Sequence, residues 1–311
     1  MPQSSIGASR SARARLELPE ASPYRLDLTV SVLRRLSSNL VDIYTADGRY
    51  LRALPGPAGP VVLCVRQSGP HSLSVEFGGR KTDALATVRR VLGVDADVRD
   101  FIEHAERIRW LAPLVGRMAG VRPPRYPTLW EALVNTIVFQ QISVFAATAI
   151  MGRFVIGLGD ATVWDGVPLV IFPSAERVLE VRETTLRAFG LSTGKVDTLR
   201  RAATAVSTGA LTERMLEERT SAEAAQLLQQ LKGFGPWSAA VTLLRGLGRL
   251  DVFPGGDSGV AASLAHVVRR KVDAESVARR LGSQRGMLYF CLLLARLEKR
   301  GQIGRVSDVA R

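Results

Sequence analysis

Apolar and polar positions run in two rhythms along this chain, and the rhythm changes near residue 83. Tyr24, Leu26, Leu28 and Val30 alternate with Arg25, Asp27 and Thr29, a period of two that predicts a half-buried strand. Leu33 to Leu40 predicts a short helix. Three further strands are predicted over Arg49–Leu54, Val61–Arg66 and Ser72–Phe77, because Asp47-Gly48, Pro55-Gly56-Pro57 and Gly69-Pro70 supply turn chemistry around them. From Asp83 the strand signals cease. Asp83–Leu92 predicts a helix, and Phe101, Ile102, Ala105, Ile108 and Leu111 form the stripe of another. Arg122-Pro123-Pro124 reads as a loop. Thr128 then caps a helix over Leu129–Phe139, with Glu131 three residues on to complete a capping box. That helix stops at Gln140-Gln141-Ile142, and Ser143 can cap the next, through Phe154. Ala188 to Ser192 reads as a helix end followed by a new cap, and Val196–Ala205 as helix.

The fold class that follows is α+β: a mostly helical domain preceded by a small antiparallel sheet. Residues 1–20 are small, polar, basic and without period, and predict a disordered arm. Residues 21–88 predict the sheet domain and residues 89–311 the helical one.

The densest local signal is LKGFGPWSAAVTLLRGLGRLDVFPGGD, from Leu231 to Asp257. Ser221–Leu231 has a capping-type serine and strong helix formers. Gly233 and Gly235 bracket Phe234, and Pro236 occupies the first helical position, where a missing N–H costs nothing. Trp237 to Leu247 continues with Ala239, Ala240, Leu243, Leu244 and Leu247 at helical spacing, so 221–247 predicts helix, hairpin, helix. Glycines leave the N–H groups of such a hairpin uncovered, and uncovered amides beside a helix start bind phosphate without reading a base. Asp257 follows Gly255-Gly256 and precedes the apolar run Ser258–Val268. As a residue type in that place it is a helix N-cap. The same position suits a carboxylate that must stay ionised and face a developing positive charge. Trp237 reads equally as a core aromatic or as an aromatic face for a cationic ligand.

A net charge of +13 favours a polyanionic partner, although an arginine-rich composition can also follow from genome bias. Hydrophobic residues make up 46% of the chain, and no apolar run reaches the length of a membrane span or forms a signal-peptide core, so no membrane association and a cytoplasmic, or nucleoid-associated, location are expected. Cys64 and Cys291 lie in apolar runs and read as buried thiols, too few for a four-cysteine iron-sulfur cluster. His71, His104 and His266 are isolated, which argues against a zinc site.

The hairpin LKGFGPWSA, its spacing to DVFPGGD, and the upstream VFQQISVFAA resemble the helix-hairpin-helix DNA glycosylase superfamily, most closely its DNA-3-methyladenine glycosylase II branch. The resemblance implies a monofunctional N-glycosylase acting as a monomer on damaged double-stranded DNA. Such an enzyme everts alkylated bases, 3-methyladenine among them, and cuts them from the sugar in base excision repair. It makes Asp257 the catalytic carboxylate and Trp237 a wall of the base pocket, and it gives DNA contacts to Gln140, Gln141, Gly233, Phe234 and Gly235. Gln141 would be the side chain pushed into the gap left by the everted nucleotide. Bifunctional relatives carry a lysine nucleophile where this chain has Trp237, and an indole forms no Schiff base. No catalytic cofactor or metal is implied, only a structural monovalent cation at the carbonyls of Gln229, Leu231 and Phe234. Two departures stand out: Val241 replaces a frequent pocket aromatic, and Gly282–Gly286 lacks a frequent tryptophan, although Arg285 fits. The alternatives left open are a non-catalytic hairpin module that only binds DNA, and a bifunctional oxidised-base enzyme using another lysine.

Overall fold

The computed structural model describes residues 11–19, 23–57, 59–268 and 272–303. Its sheet is antiparallel, ordered β1-β5-β4-β3-β2. The strands are β1 (Ala12–Glu17), β2 (Ile43–Tyr44), β3 (Arg49–Leu54), β4 (Val61–Gly69) and β5 (Ser72–Phe77). The last three follow the predicted positions closely, because glycine and proline pin each end. Two expectations are corrected here. Residues 12–17 are not a disordered arm: they form an edge strand whose Ala12 pairs with Phe77 and Glu17 with Ser72. Arg13 reaches Glu76 at 3.2 Å and Leu16 enters the core. Residues 1–10 and 20 lie outside the described residues.

The second correction concerns Tyr24 to Val30, which is no strand. Helix α1 spans Leu26–Arg34, and everything from Leu28 to Leu33 is buried. The helix is packed on one side by the sheet core, through Leu26, Val30 and Leu33, and on another by the last helices, through Leu28 and Val32. A helix covered on both sides has apolar residues at nearly every position, so its sequence carries no helical period. Arg34 ends it, and the predicted helix over 33–40 does not form. Helix α2 (Lys81–Leu92) closes the sheet core with Ala84, Val88, Val91 and Leu92.

Helices α3 (Arg99–Glu106) and α4 (Ala112–Arg117) lead to α5 (Leu129–Phe139) and α6 (Val144–Leu158). Thr128 and Ser143 cap the last two, accepting the N–H groups of Glu131 and Ala146. The capping box at α5 is only half made. The Glu131 carboxylate turns away from the cap to pair with Arg52 on β3, whose guanidinium also pairs with Asp42, and all three are buried. This buried triad ties the sheet to α5. A hairpin, β6 (Ala161–Trp164) and β7 (Val167–Val170), follows α6, contrary to the expectation that strands end before residue 83. Its turn is Asp165-Gly166, both with positive φ, the chemistry a tight hairpin demands.

The helices α7 (Ala175–Glu180), α8 (Glu183–Ala188), α9 (Thr193–Ser207) and α10 (Glu213–Glu217) bring the chain to α11 (Ser221–Gln229) and α12 (Pro236–Thr242). The cap of α11 is Thr220 rather than Ser221, in a reciprocal box with Glu223. After α12 the chain widens into a π-turn over Leu243–Leu247, ended by Gly248 in the left-handed region. Helices α13 (Ser258–Val268), α14 (Ala274–Arg280) and α15 (Met287–Lys299) complete the fold. One helical core gathers α5, α6, α9, α11 and α12, and a second gathers α3, α4, α13 and α15. Cys64 and Cys291 are buried free thiols.

Candidate active site

The hairpin between α11 and α12 is held from three directions. Phe234 is buried in the helical core beneath it. Gly233 turns with φ +96°, and a Cβ there would collide with the Thr198 hydroxyl of α9, so both the backbone angle and the close approach require glycine. The Gln140 side chain, at the end of α5, donates to Gly233 O at 3.0 Å and to Ser238 Oγ at 2.8 Å. Pro236 takes the first helical position of α12.

These contacts sort the residues expected to meet DNA. The main-chain N–H groups of Gly233 and Gly235 have no acceptor among the described residues, and both residues are exposed. Phe234 is directed elsewhere: its ring is interior and its N–H donates to Leu231 O at 2.9 Å. Gln140 is a strut between α5 and the hairpin. Its neighbour Gln141 stands exposed with φ +54°, a left-handed backbone that a non-glycine residue adopts at a cost of about 1–3 kcal/mol. Only Gly233 among the two hairpin glycines needs the left-handed region, since Gly235 has φ −96°.

Asp257 opens α13 and has two partners. Oδ1 accepts the Val260 N–H at 2.9 Å, the geometry of an N-cap, and Oδ2 accepts the Trp237 indole N–H, also at 2.9 Å. The carboxylate is thus held flat by a helix start on one side and an aromatic ring on the other. Both side chains are half-buried and line a cleft of about 970 Å³. The hairpin and Gln141 form its rim, and Arg35 and Tyr289 form further walls.

Lys195, whose place in the sequence suits a solvent or phosphate contact, and two arginines that escaped the sequence reading complete the lining. Lys195, at the start of α9, points its Nζ at Val138 O and Gln140 O, both 2.8 Å away, and so closes the C-terminal end of α5. Burial lowers its amine below the ordinary lysine value, and the two carbonyls take two of its three donors. Arg35, which follows α1, has φ +62° and its guanidinium carbon lies 3.8 Å from the centre of the Phe139 ring. Arg296 of α15 fills the space above Gly259, beside Asp257. Three non-glycine residues among those described have positive φ, and two of them, Arg35 and Gln141, line this cleft. Sequence offered no sign of Arg35 because it is the second of two arginines after an apolar run, and position alone separates it from Arg34.

The two departures noted in sequence have structural explanations. Val241, on α12, is buried. Gln284 braces α3: its Oε1 accepts the Phe101 N–H at 2.8 Å and its Nε2 donates to Asp97 O at 2.6 Å. Of the carbonyls offered to a cation, that of Leu231 accepts the Phe234 amide at 2.9 Å. Among the described residues no cluster of His, Cys, Asp and Glu could hold a metal.

Residues 134–283 match the model of the HhH-GPD superfamily base excision DNA repair protein, a span that contains Gln141, the hairpin, Trp237 and Asp257. A solved 3-methyladenine DNA-glycosylase from Archaeoglobus fulgidus superposes with a TM-score of 0.74 at 25% identity, over 91% of this chain and 98% of that one. The chain belongs to the helix-hairpin-helix base excision repair superfamily. Among curated relatives, a DNA-3-methyladenine glycosylase of Bacillus subtilis is 26% identical over 60% of this chain and 61% of its own length. A probable bifunctional transcriptional activator/DNA repair enzyme AlkA of Mycobacterium tuberculosis is 30% identical over 79% of this chain and 49% of its own length. The chain therefore spans about half to three fifths of these curated relatives. Within the superfamily's matched segment, the hairpin and the capped aspartate line one cleft.

Proposed function

We propose that this protein is a monofunctional DNA N-glycosylase that everts damaged bases, alkylated ones among them, from duplex DNA and hydrolyses the bond to the sugar, leaving an abasic site. The observation that carries the reading is the Asp257 carboxylate, fixed by Val260 and Trp237 at the wall of an open cleft beside two unpartnered hairpin amides. Cleavage of an N-glycosidic bond passes through a sugar with oxocarbenium character. A preplaced carboxylate stabilises that charge and can take the proton of the attacking water. The Gly233 and Gly235 amides suit a phosphate of the same strand. Gln141, held in its strained turn, is the side chain for the gap in the base stack. Trp237 supplies an aromatic face and no amine, and Lys195, the lysine that lines the cleft among the described residues, turns its Nζ to the carbonyls of Val138 and Gln140. Both facts favour an enzyme that stops at the abasic site.

The test is base release from methylated duplex DNA by the protein and by Asp257→Asn. The variant should release base about a hundredfold to ten-thousandfold more slowly. Equal rates would remove Asp257 from the chemistry, and a covalent adduct trapped by borohydride would replace the hydrolytic reading with a lyase one. DNA binding without release by the unaltered protein would leave a binding module.

A further inference from the structure

The turn that presents Gln141 is held by a lysine from another helix. Gln140 has φ −59° and ψ 130°, and Gln141 follows with φ +54°. These are the angles of a type II turn, whose second central position ordinarily belongs to glycine or asparagine. A glutamine there is strained, and one local movement would relieve it. If the peptide unit between Gln140 and Gln141 turned over, the pair would take type I angles, which most residues adopt freely. The carbonyl of that peptide unit is Gln140 O, and Nζ of Lys195 donates to it at 2.8 Å. The same Nζ donates at 2.8 Å to Val138 O, one of the last carbonyls of α5, which have no partner within the helix. Lys195 itself stands on firm ground: it is in the first turn of α9, its N–H donates to the Ser192 cap at 3.4 Å, and the next residue, Val196, is buried.

Turning the peptide over would swing Gln140 O away from the ammonium, break that bond and aim Gln141 elsewhere. A hydrogen bond from a charged donor is worth about as much as the strain of one left-handed residue. One lysine therefore decides which of the two turns the loop keeps. The side chain of Gln140 reaches the other way, to Gly233 O and Ser238 Oγ, so α9, the loop and the hairpin all meet at this residue.

We propose that Lys195 is a positioning residue: by holding the carbonyl of Gln140 it keeps the loop in the turn that aims Gln141 at the gap in the base stack, and so acts on base eversion through Gln141. The proposal rests on the glycosylase reading given above. The amine makes no bond to DNA and takes no part in breaking the bond to the sugar. Its effect is on the fraction of protein whose Gln141 is ready to enter the stack, and the observed rate of release scales with that fraction.

The experiment measures single-turnover release of N7-methylguanine from a duplex by the unaltered protein, Lys195→Met, Gln141→Ala and the double variant. Lys195→Met should slow release by about tenfold, the shift between turns that loss of such a bond produces. The double variant should match Gln141→Ala to within about twofold, because a lysine that acts through Gln141 has nothing left to act on. A lysine that merely supported the fold would slow the protein in both backgrounds alike. Lys195→Arg, which keeps donors for both carbonyls, should be severalfold faster than Lys195→Met. Lys195→Gln takes the place of the methionine variant in the same cycle if that one does not fold. A second arm titrates undamaged duplex at several salt concentrations: removal of a phosphate contact lowers the salt slope by about one, and Lys195→Met should leave the slope as it is. Rates that multiply in the double variant, a lowered salt slope, or an arginine variant as slow as the methionine one overturns the role of Lys195. So does an unchanged rate in Lys195→Met or in Gln141→Ala, and in each of these cases the glycosylase reading stands. No release by the unaltered protein overturns that reading, and the role of Lys195 with it.

Discussion

The indole N–H of Trp237 donates to Oδ2 of Asp257 at 2.9 Å, so two residues twenty positions apart in sequence act as one rigid unit on the wall of the cleft. Neither could hold this position alone. The aspartate sits at the start of α13 and the indole at the start of α12, and the bond fixes the angle at which the free lone pairs face the cleft.

Loss of that bond should slow chemistry without removing the aromatic wall. Trp237→Phe is expected to lower single-turnover base release by about ten- to a hundredfold, the range for a hydrogen bond to a charged group. DNA affinity, measured by fluorescence anisotropy on an abasic-site duplex, should change little. A drop in affinity with an unchanged chemical step would mean that the indole serves binding and not the carboxylate.

The buried triad of Arg52, Asp42 and Glu131 predicts a large and asymmetric effect on stability. Arg52→Leu strands two carboxylates in the interior and should cost about 3–5 kcal/mol in chemical denaturation. Replacing all three by apolar residues should recover much of that loss. A single-variant loss of about 1 kcal/mol or less, typical of an exposed ion pair, would show that the triad is more open to water than the structure has it.

The thiols make a pH-dependent prediction. Burial pushes Cys291 up to about 12 and raises Cys64 as well. Both should resist maleimide labelling at neutral pH in the folded protein and label fully in denaturant, as followed by intact mass. For Cys291 the folded value lies above that of the unfolded chain. Its contribution to stability is therefore complete below about pH 8.5 and is lost as pH rises from there towards 12. A denaturation midpoint that rises over that alkaline range in wild type relative to Cys291→Ala would contradict the assignment.

The parts of this fold that sequence disclosed are those where local chemistry and tertiary packing agree. Helix α5 begins at its threonine cap and ends before Gln140, as its pattern requires. The strands over 49–77 are bounded by residues that can do little but turn. The hairpin signature worked for the same reason, since Gly233 is demanded both by φ and by Thr198. What sequence concealed was set by partners distant in the chain. The strand over 12–17 is an edge strand with one fully buried apolar anchor within its span, Leu16, so it carries no alternation to read. Helix α1 mimicked a strand because both of its sides are covered. Asp165-Gly166 did carry a turn signal, but the strands it joins are four residues each and were lost among helices. At the site, Asp257 and Trp237 were visible because they follow glycine-marked corners. Adjacency in sequence could not tell that Gln140 braces the hairpin while Gln141 stands exposed, or that the Phe234 ring turns inwards.

Arg35 and Tyr289 both lie beyond the segment that the superfamily shares, one ahead of residue 134 and the other after residue 283. The residues proposed to grip a strand and break a bond thus lie in the common segment, while two walls of the chamber are lent by flanking chain. Drift in those flanks can reshape what the chamber accepts while leaving the cutting apparatus untouched.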